Sequence, residues 1–107
     1  MTLTEHERDY EAQMAAAAAS LSDEWGVRDY RAHRTRDGVA FVFTLTRSGR
    51  PVAWVEDSGR GGGPFVQFQD RRSPEALLWE AEADRLFPGD PLGAEAIVEA
   101  VLVKASL

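Results

Sequence analysis

Residues 37–49 read DGVAFVFTLTRSG, and this segment determines the expected architecture. Within it Phe41, Phe43 and Leu45 alternate with smaller or polar residues, which is the two-residue period of a strand with one buried face. Asp-Gly and Ser-Gly pairs bound the segment, and such pairs are typical of two-residue hairpin turns. The sequence therefore predicts a central strand with an antiparallel neighbour on each side.

Two-residue turns at Asp37-Gly38 and Ser48-Gly49 determine which side chains share a face of this sheet. The face expected to lie on the core contains Tyr30, Ala32, Phe41, Phe43, Leu45, Val52 and Trp54. The opposite face is expected to contain Asp29, Arg31, His33, Thr35, Thr44, Thr46, Ala53 and Val55. A one-residue bulge beside either turn would change part of this assignment.

The chain before these strands has a helical pattern over residues 4–25. Thr4 and Glu7 form a capping box, and the alanines at 15–19 favour a helix that packs closely on a neighbour. Gly26 is expected to end this helix. The apolar residues recur at intervals of three, four or seven, at Leu3, Tyr10, Met14, Ala17, Leu21 and Trp25.

A fourth strand is predicted over residues 65–69, and two further helices follow it. These helices are predicted over 73–87 and 90–104, because each segment begins with an N-cap residue followed by proline. The order is then α-β-β-β-β-α-α, with one apolar face of the sheet to cover. The sequence predicts a single α+β domain over residues 1–107, in which three helices cover a four-stranded antiparallel sheet.

The composition limits the classes of function. The chain has 107 residues, no cysteine and a net charge of -6, which fits one small domain with one core. Without cysteine there is no disulfide, thiolate zinc site, iron–sulfur cluster or thiol nucleophile. The small apolar run from Met14 to Ala19 is too short to span a bilayer, so we expect a cytoplasmic protein without a membrane span.

Charge is distributed unevenly along the chain. Residues 1–26 contain six acidic residues and one basic residue, and residues 73–107 contain seven and two. Residues 27–72 contain nine arginines and five acidic residues. A GC-rich genome would produce this arginine bias as readily as a demand for anion contacts would. The middle segment predicts contact with phosphate or an acidic protein, while the net negative charge disfavours nucleic acid.

The most unusual segment is the glycine-rich one at 57–64, which reads DSGRGGGP. Glycine permits positive φ and close approach of the backbone, so these amides and an arginine form a candidate phosphate or nucleotide site. The candidate residues are Asp57, Ser58, Gly59, Arg60, Gly61, Gly62 and Gly63. A mobile connection between strands is the simpler alternative. A strand follows the segment where a P-loop or a dinucleotide-binding loop requires a helix, and no cofactor is expected.

The turn at Asp57–Gly62 has the order Asp-x-Gly-x-Gly-Gly and lies between two predicted strands. In this respect it resembles small uncharacterised phage and prophage proteins in which an Asn/Asp-x-Gly-x-Gly-Gly turn joins two strands. The similarity covers only Pro51–Phe68. It implies a mobile-element or host-interaction context and no particular chemistry.

No set of side chains predicts catalysis or a metal site. His33 lies on a predicted strand near Arg31, without a nucleophile or an orienting acid. His6 lies in the first helical turn, 27 positions away, which does not fit a metal site. Arg31, His33, Arg71 and Arg72 are predicted to contact a partner. The aromatic side chains are assigned to the core, so no stacking surface for single-stranded nucleic acid is expected.

These observations favour a small acidic non-enzymatic protein that binds a macromolecular partner, such as a phage or mobile-element inhibitor or accessory protein. Its acidic helices would imitate nucleic-acid charge or occupy a basic groove. The alternative is a phosphate- or nucleotide-binding module that uses residues 57–64. A hydrolase acting through carboxylates and water is a third hypothesis. A homodimer is compatible with an apolar strip of Val42, Ala53 and Val55 on the outer sheet face.

Overall fold

The computed structural model describes residues 4–106 and has the order α-β-β-β-β-α-α, which confirms the predicted α+β fold. The helices are α1 (Glu5–Ser20), α2 (Pro74–Leu86) and α3 (Gly93–Ala105). The strands β1 (Trp25–Thr35), β2 (Gly38–Arg47), β3 (Arg50–Asp57) and β4 (Phe65–Phe68) form an antiparallel sheet in sequence order. Within 4–106 no helix combines the length and the apolar character of a membrane span. Leu3 of the predicted apolar repeat lies outside the described residues.

Two of the predicted helix starts are confirmed. The hydroxyls of Thr4 and Ser73 each accept a main-chain N–H from three residues later, at 3.1 and 3.2 Å. The third helix begins at Gly93, later than predicted. Asp90 instead accepts the N–H of Leu92 at 2.8 Å and so stabilises the turn that precedes the helix.

The first helix ends earlier than predicted, because Trp25 is the first residue of β1. The C-cap residue Leu21 is extended, and the final carbonyls of α1 are bound by side chains of the other two helices. Arg85 donates to the carbonyl of Ser20 at 2.7 Å, and Lys104 donates to that of Leu21. Since these cations satisfy the helix end, the chain leaves the helix without a glycine.

Glu82 completes this junction between the helices. Its side chain is buried, and it accepts the N–H of Ser22 at 3.0 Å and the Nε–H of Arg85 at 2.6 Å. Burial alone would raise the pKa of Glu82, but these hydrogen bonds and the positive charges of Arg85 and Lys104 outweigh it, and the pKa is lowered. The carboxylate therefore connects α2 to the segment between α1 and β1.

The core lies between the sheet and the helices. α3 packs against β1 and against both other helices. Trp25 and Trp79 meet edge to face with ring centroids 4.9 Å apart, which confirms that both belong to the core. The largest fully buried side chains come from both layers and are Phe43, Leu45, Val55, Ile97, Val98 and Val101.

The β1–β2 hairpin differs from the prediction in its turn and contains a bulge. Thr35 pairs with Gly38, so the two-residue turn precedes that glycine. Nearer the start of β1, the pairing register shifts between Arg28 and Arg31, at Asp29, whose φ is +57°. This extra residue allows Arg28 and Arg31 to lie on the same face.

Two residues predicted for the core face of β1, Tyr30 and Ala32, are exposed because β1 is an edge strand. Tyr30 nevertheless stacks on Phe41 and lies near Phe43, with ring centroids 6.0 and 6.4 Å apart. The predicted face of Tyr30 is therefore correct, and its predicted burial is not.

The β2–β3 hairpin has the predicted turn but a different register beyond it. Ser48 and Gly49 form the turn, with φ values of +51° and +80°. The bulge falls at Val52, because the pairs on either side of it join Thr46 to Pro51 and Leu45 to Ala53. Proline has no N–H to donate to a ladder, which is consistent with its place beside a bulge.

This bulge overturns the predicted faces of β3. An extra residue moves every later side chain of a strand to the other face. Val55, predicted outside, is 0% exposed, and Ala53 packs against the core. Trp54, predicted in the core, is 46% exposed. The predicted outer strip of Val42, Ala53 and Val55 therefore retains only Val42.

Candidate functional site

The sheet face opposite the helices carries two rows of side chains that cross all four strands. The register of the strands places Arg28, Thr44, Trp54 and Gln67 in one row, and Arg31, Val42, Glu56 and Phe65 in the next. We call these eight residues the open face. Because the core lies on the other side of the sheet, the open face is available for contact with another molecule.

Two aromatic side chains are exposed on the open face. Trp54 and Phe65 are 46% and 60% exposed. They are diagonal neighbours, because Trp54 pairs with Gln67 and Glu56 pairs with Phe65. The indole Nε1–H of Trp54 donates to Glu56 Oε2 at 3.1 Å, which restrains the ring. The expectation that this face lacks exposed aromatic side chains is wrong, and for Trp54 the reason is the bulge in β3.

The predicted partner-binding residues separate into two places. Arg31 belongs to the open face, and His33 lies next to it on β1, opposite Ala40. Arg71 and Arg72 are exposed in the connection between β4 and α2. The strand register thus brings Arg31 and His33 together, whereas Arg71 and Arg72 lie outside the sheet.

The first half of the glycine-rich segment is tied to the end of the β1–β2 hairpin. Asp57 Oδ1 accepts the N–H of Gly59 at 2.8 Å. The hydroxyl of Thr35 donates to the carbonyl of Gly38 at 2.8 Å and lies 3.3 Å from the carbonyl oxygen of Gly59. Gly59 has a φ of +76°, and a Cβ there would lie 2.8 Å from the main-chain nitrogen of Ala40. Only glycine satisfies both constraints, so this position is part of the folded structure.

The other candidate residues of the glycine-rich segment do not form a positively charged binding site. Ser58, Arg60, Gly61 and Gly62 are exposed. Gly63 lies against α3, where a Cβ would be 2.6 Å from Glu95 Oε1. Carboxylates at both ends of the segment therefore oppose an anion, and the N–H of Gly59 is already donated to one of them.

A cavity of about 430 Å³ lies beside this segment, between the sheet and α3. Its lining includes the carboxylates of Asp57, Asp90, Glu95 and Glu99. The hydroxyl of Tyr10 donates to Glu99, and this bond, together with partial burial and nearby negative charge, raises the pKa of Tyr10 to about 12. The charge of this cavity does not suit a phosphate.

The described residues contain no cluster that supports metal chemistry. Within 4–106 no group of three or more histidine, aspartate or glutamate side chains could hold a metal ion. His6 and His33 do not belong to one layer: His6 is exposed on α1, whereas His33 lies on β1 of the sheet.

Comparison with known proteins finds no matching family model, no matching curated protein and no matching solved structure.

Proposed function

We propose that this small acidic protein is a non-enzymatic binding protein that contacts a protein partner through the open face. The observation that carries the proposal is the exposure of the neighbouring side chains Trp54 and Phe65 on a sheet face that lies away from the core. Arg31 lies on the same face, on the opposite edge strand. Isolated apolar residues are common on protein surfaces, but neighbouring exposed aromatic residues mark contact sites.

The composition of the open face fits a protein interface. Tryptophan and arginine are enriched among residues that dominate binding energy, and lysine is depleted at such interfaces. The open face has two arginines on β1, exposed aromatic residues on β3 and β4, and no lysine. The partner surface that complements it would have an apolar centre and an acidic group facing Arg31.

A protein partner fits the open face better than nucleic acid does. Glu56 lies between the arginines and Phe65, and the whole chain has a net charge of -6. Both oppose a polyanion. The resemblance of the turn at 57–62 to phage and prophage proteins adds a mobile-element context to the proposal, with contact taking place in the cytoplasm.

Affinity capture with matched variants tests this proposal. Immobilised protein is incubated with a lysate of the source cells at low salt, and the retained proteins are identified and then titrated as purified components. Trp54→Ala and Arg31→Glu should each weaken binding at least tenfold, because they remove an aromatic contact and reverse a charge. Leu77→Ala, at an exposed apolar position on α2, should leave binding unchanged. Raising the salt should weaken binding by the native protein.

Loss of binding in Leu77→Ala together with full binding by Trp54→Ala would place the contact on the helices and contradict the proposal. Tight binding of a single-stranded oligonucleotide, lost in Trp54→Ala, would replace the protein partner by nucleic acid.

The phosphate- or nucleotide-binding alternative has less support, because Asp57 and Glu95 lie at the two ends of the segment. It requires phosphate or ATP to raise the melting temperature of the native protein, and Arg60→Ala to abolish that increase. We expect no such increase.

A further inference from the structure

The two edges of the sheet differ in how they are protected against pairing with another strand. On β1, Arg28, Arg31 and Arg34 are exposed, and a bulge at Asp29 interrupts the strand. Charged side chains and bulges on an edge strand both hinder the addition of a further strand. The β1 edge is therefore blocked.

The β4 edge has neither form of protection. Residues Phe65–Phe68 read FVQF, and β4 is the only one of the four strands without a charged residue. Among the described residues, no hydrogen bond from outside the β3 ladder reaches the main chain of β4. Its outward N–H and C=O groups are therefore available to another strand.

We propose that two copies of this protein pair through β4, antiparallel and about a two-fold axis, to form one continuous eight-stranded sheet. Each copy has a net charge of -6, which opposes association. Repulsion between facing side chains is smallest where no charged residue lies at the contact, and β4 is such an edge. Because β1 is blocked, pairing ends at two copies and does not extend into a fibre. This inference does not depend on the partner proposed above.

The alternation of side chains limits the register of this pairing. Residues directly opposite each other must lie on the same face, so Phe65 and Gln67 remain on the open face in both copies. Two registers satisfy this condition near the middle of β4, one centred on Val66 and one on Gln67. With a rise of about 3.4 Å per residue and a strand spacing of about 4.8 Å, the Gln67 positions of the two copies lie within about 8 Å of each other in both registers. The two open faces then form one surface.

Sedimentation equilibrium of the full chain tests the pairing. The native protein should show a concentration-dependent mass that approaches twice 11.8 kDa at about 0.5 mM, as expected for a small interface. Gln67→Lys should weaken dimerisation at least about tenfold, because two lysines then face each other across the axis. About 1 M salt should restore part of the loss, which a folding defect would not allow.

Thr44→Lys is the matched control. Thr44 lies in the same row of the open face as Gln67 but on an interior strand, so this change should leave edge pairing intact. Amide exchange gives a second measurement on the native chain: protection of residues 65–68 should increase with concentration, while that of β1 should not. A single 11.8 kDa species up to about 1 mM, or a dimer lost in Thr44→Lys and kept in Gln67→Lys, would overturn the inference.

Discussion

Replacing Glu82 with alanine removes the acceptor that joins α2 to the end of α1. In the native protein the carboxylate accepts the N–H of Ser22 at 3.0 Å and the Nε–H of Arg85 at 2.6 Å. Arg85 keeps its contacts with Ser20 in the variant, whereas the N–H of Ser22 loses its charged acceptor. The change therefore tests whether this junction stabilises the helical layer.

The two hydrogen bonds differ in their expected contributions. A part-buried bond to a charged acceptor, such as that of Ser22, contributes about 1.5 to 3 kcal/mol. The side chain of Arg85 is 51% exposed, so solvent screens its ion pair, which adds little to the stability. We expect Glu82→Ala to lower the free energy of unfolding by about 2 to 3 kcal/mol, or the Tm by roughly 10 °C.

The contribution of Glu82 should also depend on pH. Its pKa is lower in the folded protein than its ordinary value of 4.5. Ionisation of Glu82 therefore stabilises the fold above about pH 4.5, and this stabilisation is lost as the pH falls through the folded-state pKa. Glutamine resembles the protonated acid, so the stability difference between the native protein and Glu82→Gln should be larger at pH 7 than at pH 3.

Urea denaturation followed by tryptophan fluorescence measures these differences. Glu80→Ala is the control, because Glu80 is exposed on the same helix, and it should change stability by less than about 0.5 kcal/mol. A change that small in Glu82→Ala, or an equal difference between native protein and Glu82→Gln at both pH values, would refute this account of the junction.

Three further predictions concern the loop, the sheet register and the cavity. Gly59→Ala should destabilise the fold by more than about 2 kcal/mol in urea denaturation, because positive φ and a steric clash combine, while Gly61→Ala, with positive φ and open space, should cost about 1 kcal/mol. Val55→Ala should cost about 2 to 3 kcal/mol by the same method, since the side chain is fully buried; a negligible change would contradict the β3 register. Ultraviolet titration should find a pKa of about 12 for Tyr10, and Glu99→Gln should lower it towards 10.

Local signals in the sequence were sufficient to predict the elements of this fold. The N-caps at Thr4 and Ser73 and the turn at Ser48-Gly49 each depend on interactions within a few residues. The end of α1 could not be predicted in this way, because the cations that bind its last carbonyls are Arg85 and Lys104. Both are distant in sequence.

The same local signals do not predict which side chains of β3 face the core. Alternation predicts which residues share a face only while pairing is regular, and the bulge at Val52 exchanges the positions of Trp54 and Val55. Pro51 is the sequence signal that could have indicated the bulge, since proline inside a sheet is confined to edges, strand starts and bulges. That one inserted residue accounts for the exposure of the indole on which the proposed function depends.

The glycine-rich segment shows that local sequence also fails to predict the charge around a candidate binding site. Its own residues, with one arginine among glycines, favour an anion. Their surroundings oppose that preference, because α3 brings Glu95 against Gly63 from 32 positions farther along the chain. Charge at a site is the sum over all elements that meet there, and the sequence shows only the element that contains the motif.

Charge is also divided between the two layers of the molecule. The three helices contain ten acidic and three basic residues, whereas the four strands contain three acidic and five basic residues. The net negative charge of the helices thus repels an acidic partner, whereas the net positive charge of the strands attracts one. Pairing through β4 would place both helical layers on one side and both open faces on the other. The two inferences are therefore compatible, because edge pairing would enlarge the contact surface without covering it.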